Sequence, residues 1–133
     1  MTPVGRVASV TSPGTWSSWA AADASSCGVG VGFVLDGSDG IVCIDLDHCL
    51  TDGHLAPWAA AVLEAVPPTY IEVSPSGDGL HVWGTGPVGR GRRIRDHRSI
   101  EVYSQGRYIA VTSQRWEGAP SLLADLTAVL AAV

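Results

Sequence analysis

Four apolar residues, Ile41-Val42-Cys43-Ile44, run without a break into Asp45-Leu46-Asp47. No other stretch restricts the fold as much. An unbroken apolar run behind the turn Asp36-Gly37-Ser38-Asp39-Gly40 reads as a buried strand. Side chains alternate along a strand, so Asp45 and Asp47 share one face. Two carboxylates ending a buried strand repel each other. A divalent cation would relieve that repulsion, and so would solvation of the strand terminus. The acidic pair alone is compatible with both.

With 133 residues, 46% of them hydrophobic, the chain is expected to form one globular domain over 1–133. It has no apolar run long enough to span a membrane and no start resembling a signal peptide, so a soluble, cytoplasmic protein without a membrane partner is expected. The three cysteines, Cys27, Cys43 and Cys49, form no CxxC pair and are read as reduced and structural rather than as a zinc site. A net charge of −5 argues against a protein that wraps duplex DNA by charge alone. All 8 basic residues are Arg, and Arg90, Arg92, Arg93, Arg95 and Arg98 cluster in one stretch. Such a run is a solvated loop or a set of bidentate phosphate contacts; a GC-rich genome would also favour Arg over Lys.

In chain order, residues 16–23 read as a short helix capped by Thr15, with Trp16 and Trp19 on one face as a core pair rather than a base-stacking platform. Residues 28–35 read as a Gly-rich strand whose glycines allow another backbone close by. No helix follows, so the dinucleotide-binding reading fails. The turn at 36–40 predicts a hairpin with 41–47. His48 and His54 fall in a polar connection and are read as loop residues, with His48 the better ligand candidate. Leu55, Trp58, Ala59, Val62, Leu63 and Val66 carry a helical stripe that ends at Pro67-Pro68. Residues 69–74 and 80–84 form a hairpin around Pro75-Ser-Gly-Asp-Gly79, with Leu80 and Val82 on one face and His81 and Trp83 on the other. Residues 84–98 read as a mobile Gly- and Arg-rich loop in which His97 has no role. Residues 99–103 and 107–112 read as a hairpin, and Pro120 opens a final helix reaching Val133. The order implies an α+β fold with a mostly antiparallel sheet of hairpins packed with helices. Three hairpins would each bring polar residues to one face: Asp45 and Asp47, His81, and Glu101. Three carboxylates beside a His suit hard divalent metals that carry substrate phosphates.

Asp45-Leu-Asp47 after a hydrophobic strand, Ser74-Pro-Ser-Gly-Asp-Gly-Leu-His81 on a later hairpin, and Ile100-Glu101-Val-Tyr103 followed by Arg107-Tyr-Ile-Ala-Val-Thr112 occur in a recognisable order. Together they resemble the three motifs of the archaeo-eukaryotic primase-polymerase superfamily, in its phage and plasmid branch. The likeness covers about residues 8–117. Ala8-Ser-Val-Thr-Ser-Pro-Gly-Thr-Trp16-Ser is similar to the segment such proteins place before the Gly-rich strand. The third acidic position is Glu here, where Asp is common elsewhere in the superfamily.

The resemblance implies an RRM-like primase-polymerase catalytic core. It implies two Mg2+ or Mn2+ ions held by Asp45, Asp47 and Glu101, and a catalytic His81 contacting the phosphates of the incoming nucleotide. Ser74 and Ser76 would assist through their turn. Arg107 would bind triphosphate or template, or be a plain surface residue. Tyr103 would stack on a base or sugar, or pack in the core. Arg90, Arg92, Arg93, Arg95 and Arg98 would track a nucleic-acid backbone or cover the nucleotide. The implied activity is nucleotidyl transfer from nucleoside triphosphates on a single-stranded DNA template in phage or plasmid replication. It would take place in the host cytoplasm if the protein is phage-encoded, with a replicative helicase or another replication protein as partner. Members of this branch usually carry further sequence on both sides, so an upstream segment and a downstream helicase or accessory region are expected to be missing. Two other readings remain: a metal-dependent phosphodiesterase or nuclease with His48 as base, and a non-enzymatic nucleotide- or DNA-binding module acting through a partner.

Overall fold

A computed structural model describes residue 2 and residues 5–133. Ten strands are formed by the described residues: β1 (Val31–Asp36), β2 (Ile41–Leu46), β3 (Leu50–Thr51), β4 (His54–Leu55), β5 (Ile71–Val73), β6 (Leu80–Thr85), β7 (Arg92–Arg95), β8 (Ser99–Tyr103), β9 (Gln105–Val111) and β10 (Ala124–Asp125). Three α-helices join them: α1 (Trp19–Ala24), α2 (Pro57–Glu64) and α3 (Thr127–Ala132). The fold is α+β, as the sequence implies.

The main sheet has six strands, with β2 at its centre between β6 and β8. β7 extends the β8 edge, and β5 and β10 share the outer edge of β6, β10 running parallel to it. Buried Thr69 fills the gap between those two short strands. Its hydroxyl donates to the Trp83 carbonyl at 2.5 Å and accepts from the Ala124 amide at 2.9 Å.

Both faces of β2 are covered, which is what its unbroken apolar run requires. Val42, Ile44 and Leu46, with Leu80, Val82, Ile100 and Val102 of the flanking strands, pack under Ala59 and Val62 of α2 and Val129 and Leu130 of α3. On the opposite face Cys43, Trp83 and Tyr103 pack under Leu35, Ile109, Phe33 and Val111 of a separate two-stranded ribbon, β1 with β9. All three thiols are free, and burial pushes those of Cys43 and Cys49 up, the latter to about 11.

Several expected elements differ. β1 does not form a hairpin with β2, nor β9 with β8. Both edges of β2 are taken by β6 and β8, and both edges of β8 by β2 and β7, so β1 and β9 pair with each other in a second layer. Local chemistry helps redirect the chain. The Asp36 side chain accepts from the Ser38 amide and hydroxyl, and the Asp39 side chain accepts from the Ile41 amide. The Arg-rich stretch is not wholly loop, since residues 92–95 form β7. The first helix starts at Trp19 with Ser18 as its cap; Thr15 instead bonds the Ser9 amide, and Trp19 is 51% exposed rather than in the core. At Gly32 an added Cβ would meet the Tyr108 ring rather than a backbone. The last helix starts only at Thr127, because Ala124 and Asp125 are used as a strand against β6 and the Asp125 carboxylate holds the Thr127 amide and hydroxyl.

Candidate active site

The register of the main sheet aligns one row of polar residues across five neighbouring strands. Glu72 pairs with His81, His81 with Asp45, Asp45 with Glu101, and Glu101 with Arg93. Residues paired in this way project from the same face, here the face that carries the β1–β9 ribbon. Asp47 follows β2, fixed by its amide bonding the Ser99 carbonyl at 2.9 Å. One carboxylate oxygen from each of Asp45, Asp47 and Glu101 lies within 4.8 Å of the others.

Three carboxylates so close must be compensated. Burial, and then the charge of Asp47, push the Asp45 carboxyl up to about 6; Glu101 adds to this, while His81 and Arg95 oppose it. Burial would also raise Glu101, but hydrogen bonds from the Tyr103 hydroxyl and Arg95, with the charge of Arg93, hold it below the usual glutamate value. Arg95 donates to Glu101 at 2.5 Å and stands 3.8 Å from Asp47, while Arg93 lies 3.5 Å from Glu101. Asp45 Oδ1 is buried without a hydrogen-bond partner. An all-oxygen donor set with one orphaned buried oxygen fits a hard divalent cation such as Mg2+ or Mn2+.

His81 is buried beside this cluster. Its Nδ1 lies 3.1 Å from Glu72 Oε2, and its Nε2 lies 3.8 Å from Asp45 Oδ1. Glu72 is fully buried and also accepts from the Tyr70 hydroxyl and from the amides of Thr112 and Ser113. Burial alone would raise its pKa, but these four bonds outweigh that and hold the carboxyl low. Tyr70 is pushed up to about 12 by burial and by that carboxylate. The sequence reading passed over Glu72. The signal was present: a turn at 75–79 that pairs Val73 with Leu80 sets Glu72 opposite His81.

The turn after β5 presses onto the end of β2. A Cβ on Gly79 would stand 2.7 Å from the Leu46 carbonyl and 3.0 Å from Ser74 Oγ, so this approach requires glycine. Within the turn, Ser74 Oγ meets Ser76 Oγ at 2.9 Å, Ser76 donates to Asp78 at 2.5 Å, and Asp78 meets His48 Nδ1 at 2.7 Å. That bond to Asp78 raises the His48 pKa, and the residue sits at φ +53° directly after the acidic pair. His54 lies in the small β3–β4 hairpin, and His97 stands 3.6 Å from Asp96.

Tyr103 is brought to Glu101. Its hydroxyl donates to Glu101 Oε2 at 2.8 Å, and Arg107 stacks over its ring at 4.2 Å and donates to its hydroxyl at 3.2 Å. The five clustered arginines do not form a single patch. Arg93 and Arg95 face the carboxylates, Arg92 bonds the Leu130 carbonyl by α3, Arg98 pairs with Asp96, and Arg90 is exposed. An open cavity of about 610 Å³ lies between Asp45 and His81 on the sheet side and Arg107, Tyr108 and Ile109 on the ribbon. No helix among the described residues is long and apolar enough to cross a membrane.

Comparison with known proteins bears on this geometry. The sequence profile of a family described as "Bifunctional DNA primase/polymerase, N-terminal" matches residues 2–125. A DNA primase-polymerase of Nitratiruptor phage NrS-1 is 37% identical over 126 residues, which cover 86% of this chain and 17% of that protein. The chain therefore spans less than a fifth of the relative's length.

Proposed function

The chain belongs to the bifunctional DNA primase/polymerase N-terminal family, and from that membership we propose that its acidic cluster joins nucleotides from nucleoside triphosphates to a primer or new chain on single-stranded DNA. The observation that carries this reading is the cross-strand row that sets Asp45 between His81 and Glu101, with Asp47 completing three carboxylates within 4.8 Å.

Asp45, Asp47 and Glu101 would hold the divalent cations. Bound there, such ions lower the pKa of an attacking 3′-hydroxyl and take up charge on the departing pyrophosphate. The chain's own groups orient the reactants. His81 Nε2 faces the cavity side of Asp45 and suits a phosphate oxygen of the nucleotide. Ser74 and Ser76 stand in the Gly-rich turn beside the end of β2, where hydroxyls and amides favour an anion. Arg107 opens onto the cavity and suits triphosphate or template, and Tyr103 acts through its hold on Glu101. Arg93 and Arg95 sit where a polyphosphate entering beside Glu101 would meet them, and exposed Arg90 is open to a nucleic-acid backbone, whereas Arg92 is held by α3 and Arg98 by Asp96.

Incorporation of labelled nucleotide on a primed single-stranded template with Mn2+ tests the proposal. Extension by the wild-type chain, abolished in Asp45→Ala, supports it. Unchanged extension in Asp45→Ala contradicts it. Products shorter than the primer would point to phosphodiester hydrolysis instead.

A further inference from the structure

The Glu72 carboxylate is the one acidic group with no exposed surface among the described residues, yet it lies outside the three-carboxylate cluster. A charge this deep is kept only when its partners are fixed. Its four donors come from three separate places: Tyr70 just before β5, His81 on β6, and the amides of Thr112 and Ser113 just after β9. Ser113 stands at φ +58°, a conformation the surroundings must impose. The carboxylate therefore ties the sheet to the point where the ribbon ends, and the ring it holds is the one facing Asp45.

An imidazole has two distinct nitrogens, and the partner of one decides what the other presents. Here Nδ1 meets Glu72 at 3.1 Å, leaving Nε2 toward Asp45 and the cavity. We propose that Glu72 is a positioning residue for nucleotide binding: its carboxylate accepts the Nδ1 hydrogen of His81 and so holds the ring with Nε2 toward the nucleotide phosphates, where the doubly protonated ring donates its second hydrogen. The inference rests on the reading of His81 as a phosphate contact. A carboxylate behind a histidine that meets a ligand sets ring orientation without touching that ligand itself. Without Glu72 the ring is free to turn Nε2 away from the phosphates, and the ribbon loses its tether at Thr112 and Ser113.

Two measurements test this. The first needs no variant. Long-range 1H–15N NMR of the wild-type chain is expected to show His81 protonated at Nδ1, and a bare Nδ1 overturns the proposal. The second is a double-mutant cycle read as affinity for dATP with Mn2+ by calorimetry. Glu72→Gln is expected to weaken affinity about tenfold or more, His81→Ala to weaken it similarly, and the double variant to be no weaker than His81→Ala. If Glu72→Gln weakens affinity by its full factor again in the His81→Ala background, Glu72 acts on the fold rather than on His81 and the proposal fails, while the phosphate reading of His81 stands. If His81→Ala alone leaves dATP affinity unchanged, that reading falls and this inference falls with it.

Discussion

At the scale of single residues, Asp45 is largely buried among like charges with no hydrogen-bond partner for Oδ1. Its carboxyl is pushed from 3.8 to about 6, first by burial and then by Asp47. A carboxyl raised in the folded state binds its proton more tightly folded than unfolded. The metal-free fold is therefore favoured below the unfolded value, and this contribution is lost as pH rises from about 4 to about 6. The loss is on the order of 2–3 kcal/mol at neutral pH. Glu72 and Glu101 have the opposite sign. Their carboxyls are held low, so their contributions exist above the unfolded value and vanish in acid. Asp45→Asn should stabilise the metal-free protein at pH 7 by an amount of that order while removing Mn2+ binding, as read by urea denaturation and calorimetry. Destabilisation by this substitution would mean that the ionised carboxylate is already compensated without a cation. Arg95 is the protein's own partial remedy, resting on Glu101 and close to Asp47. Arg95→Ala removes a competing positive charge, so Mn2+ affinity should tighten about fivefold, roughly 1 kcal/mol at a partly exposed site. Weaker Mn2+ binding in that variant would show that Arg95 supports the cation rather than replacing it.

At the scale of elements, the glycine turn after β5 sets how near Ser74 comes to the acidic pair. An added methyl at Gly79 meets backbone at 2.7 Å, and that cannot yield as a flexible side chain can. Gly79→Ala should cost about 1–3 kcal/mol of stability and lower dATP affinity more than it lowers Mn2+ affinity, because the turn moves and the carboxylates do not. This hairpin was legible from residues alone, since its turn chemistry and its alternation agree. So was β2, whose uninterrupted apolar run means cover on both faces. The pairings of β1 and β9 were not legible. Each looks like half of a local hairpin, and only the occupied edges of β2 and β8 forbid it; edge occupancy is a property of the whole sheet. β7 was hidden for a different reason. Of Arg92-Arg-Ile-Arg95 only Ile94 turns toward the core, so the stretch reads as solvated. The last helix was read too long because Leu122 and Leu123 complete an apolar stripe on paper, yet both are exposed at 51% and 42%.

At the scale of the whole molecule, the layering explains why the site lies where it does. Helices α2 and α3 bury one face of the sheet, and the β1–β9 ribbon buries only part of the other. The uncovered part holds the row from Asp45 to Arg93, with buried His81 and Glu72 continuing it beneath the ribbon's end, and opens into the cavity beside Arg107. The carboxylate set was legible because alternation fixed the face of Asp45 and Asp47, and the order of motifs pointed to Glu101. Glu72 was missed because a lone acid in a short strand looks solvent-facing until its hairpin register is followed. The central claim is that Asp45, Asp47 and Glu101 hold divalent cations for nucleotidyl transfer. A crystal of this chain soaked with Mn2+ and a nucleoside triphosphate tests it most directly, through the anomalous signal of the metal. The account predicts Mn2+ ligated by Asp45, Asp47 and Glu101 together, with Arg95 displaced and the triphosphate against His81. Mn2+ bound elsewhere, or none at these carboxylates in the presence of bound nucleotide, would contradict it.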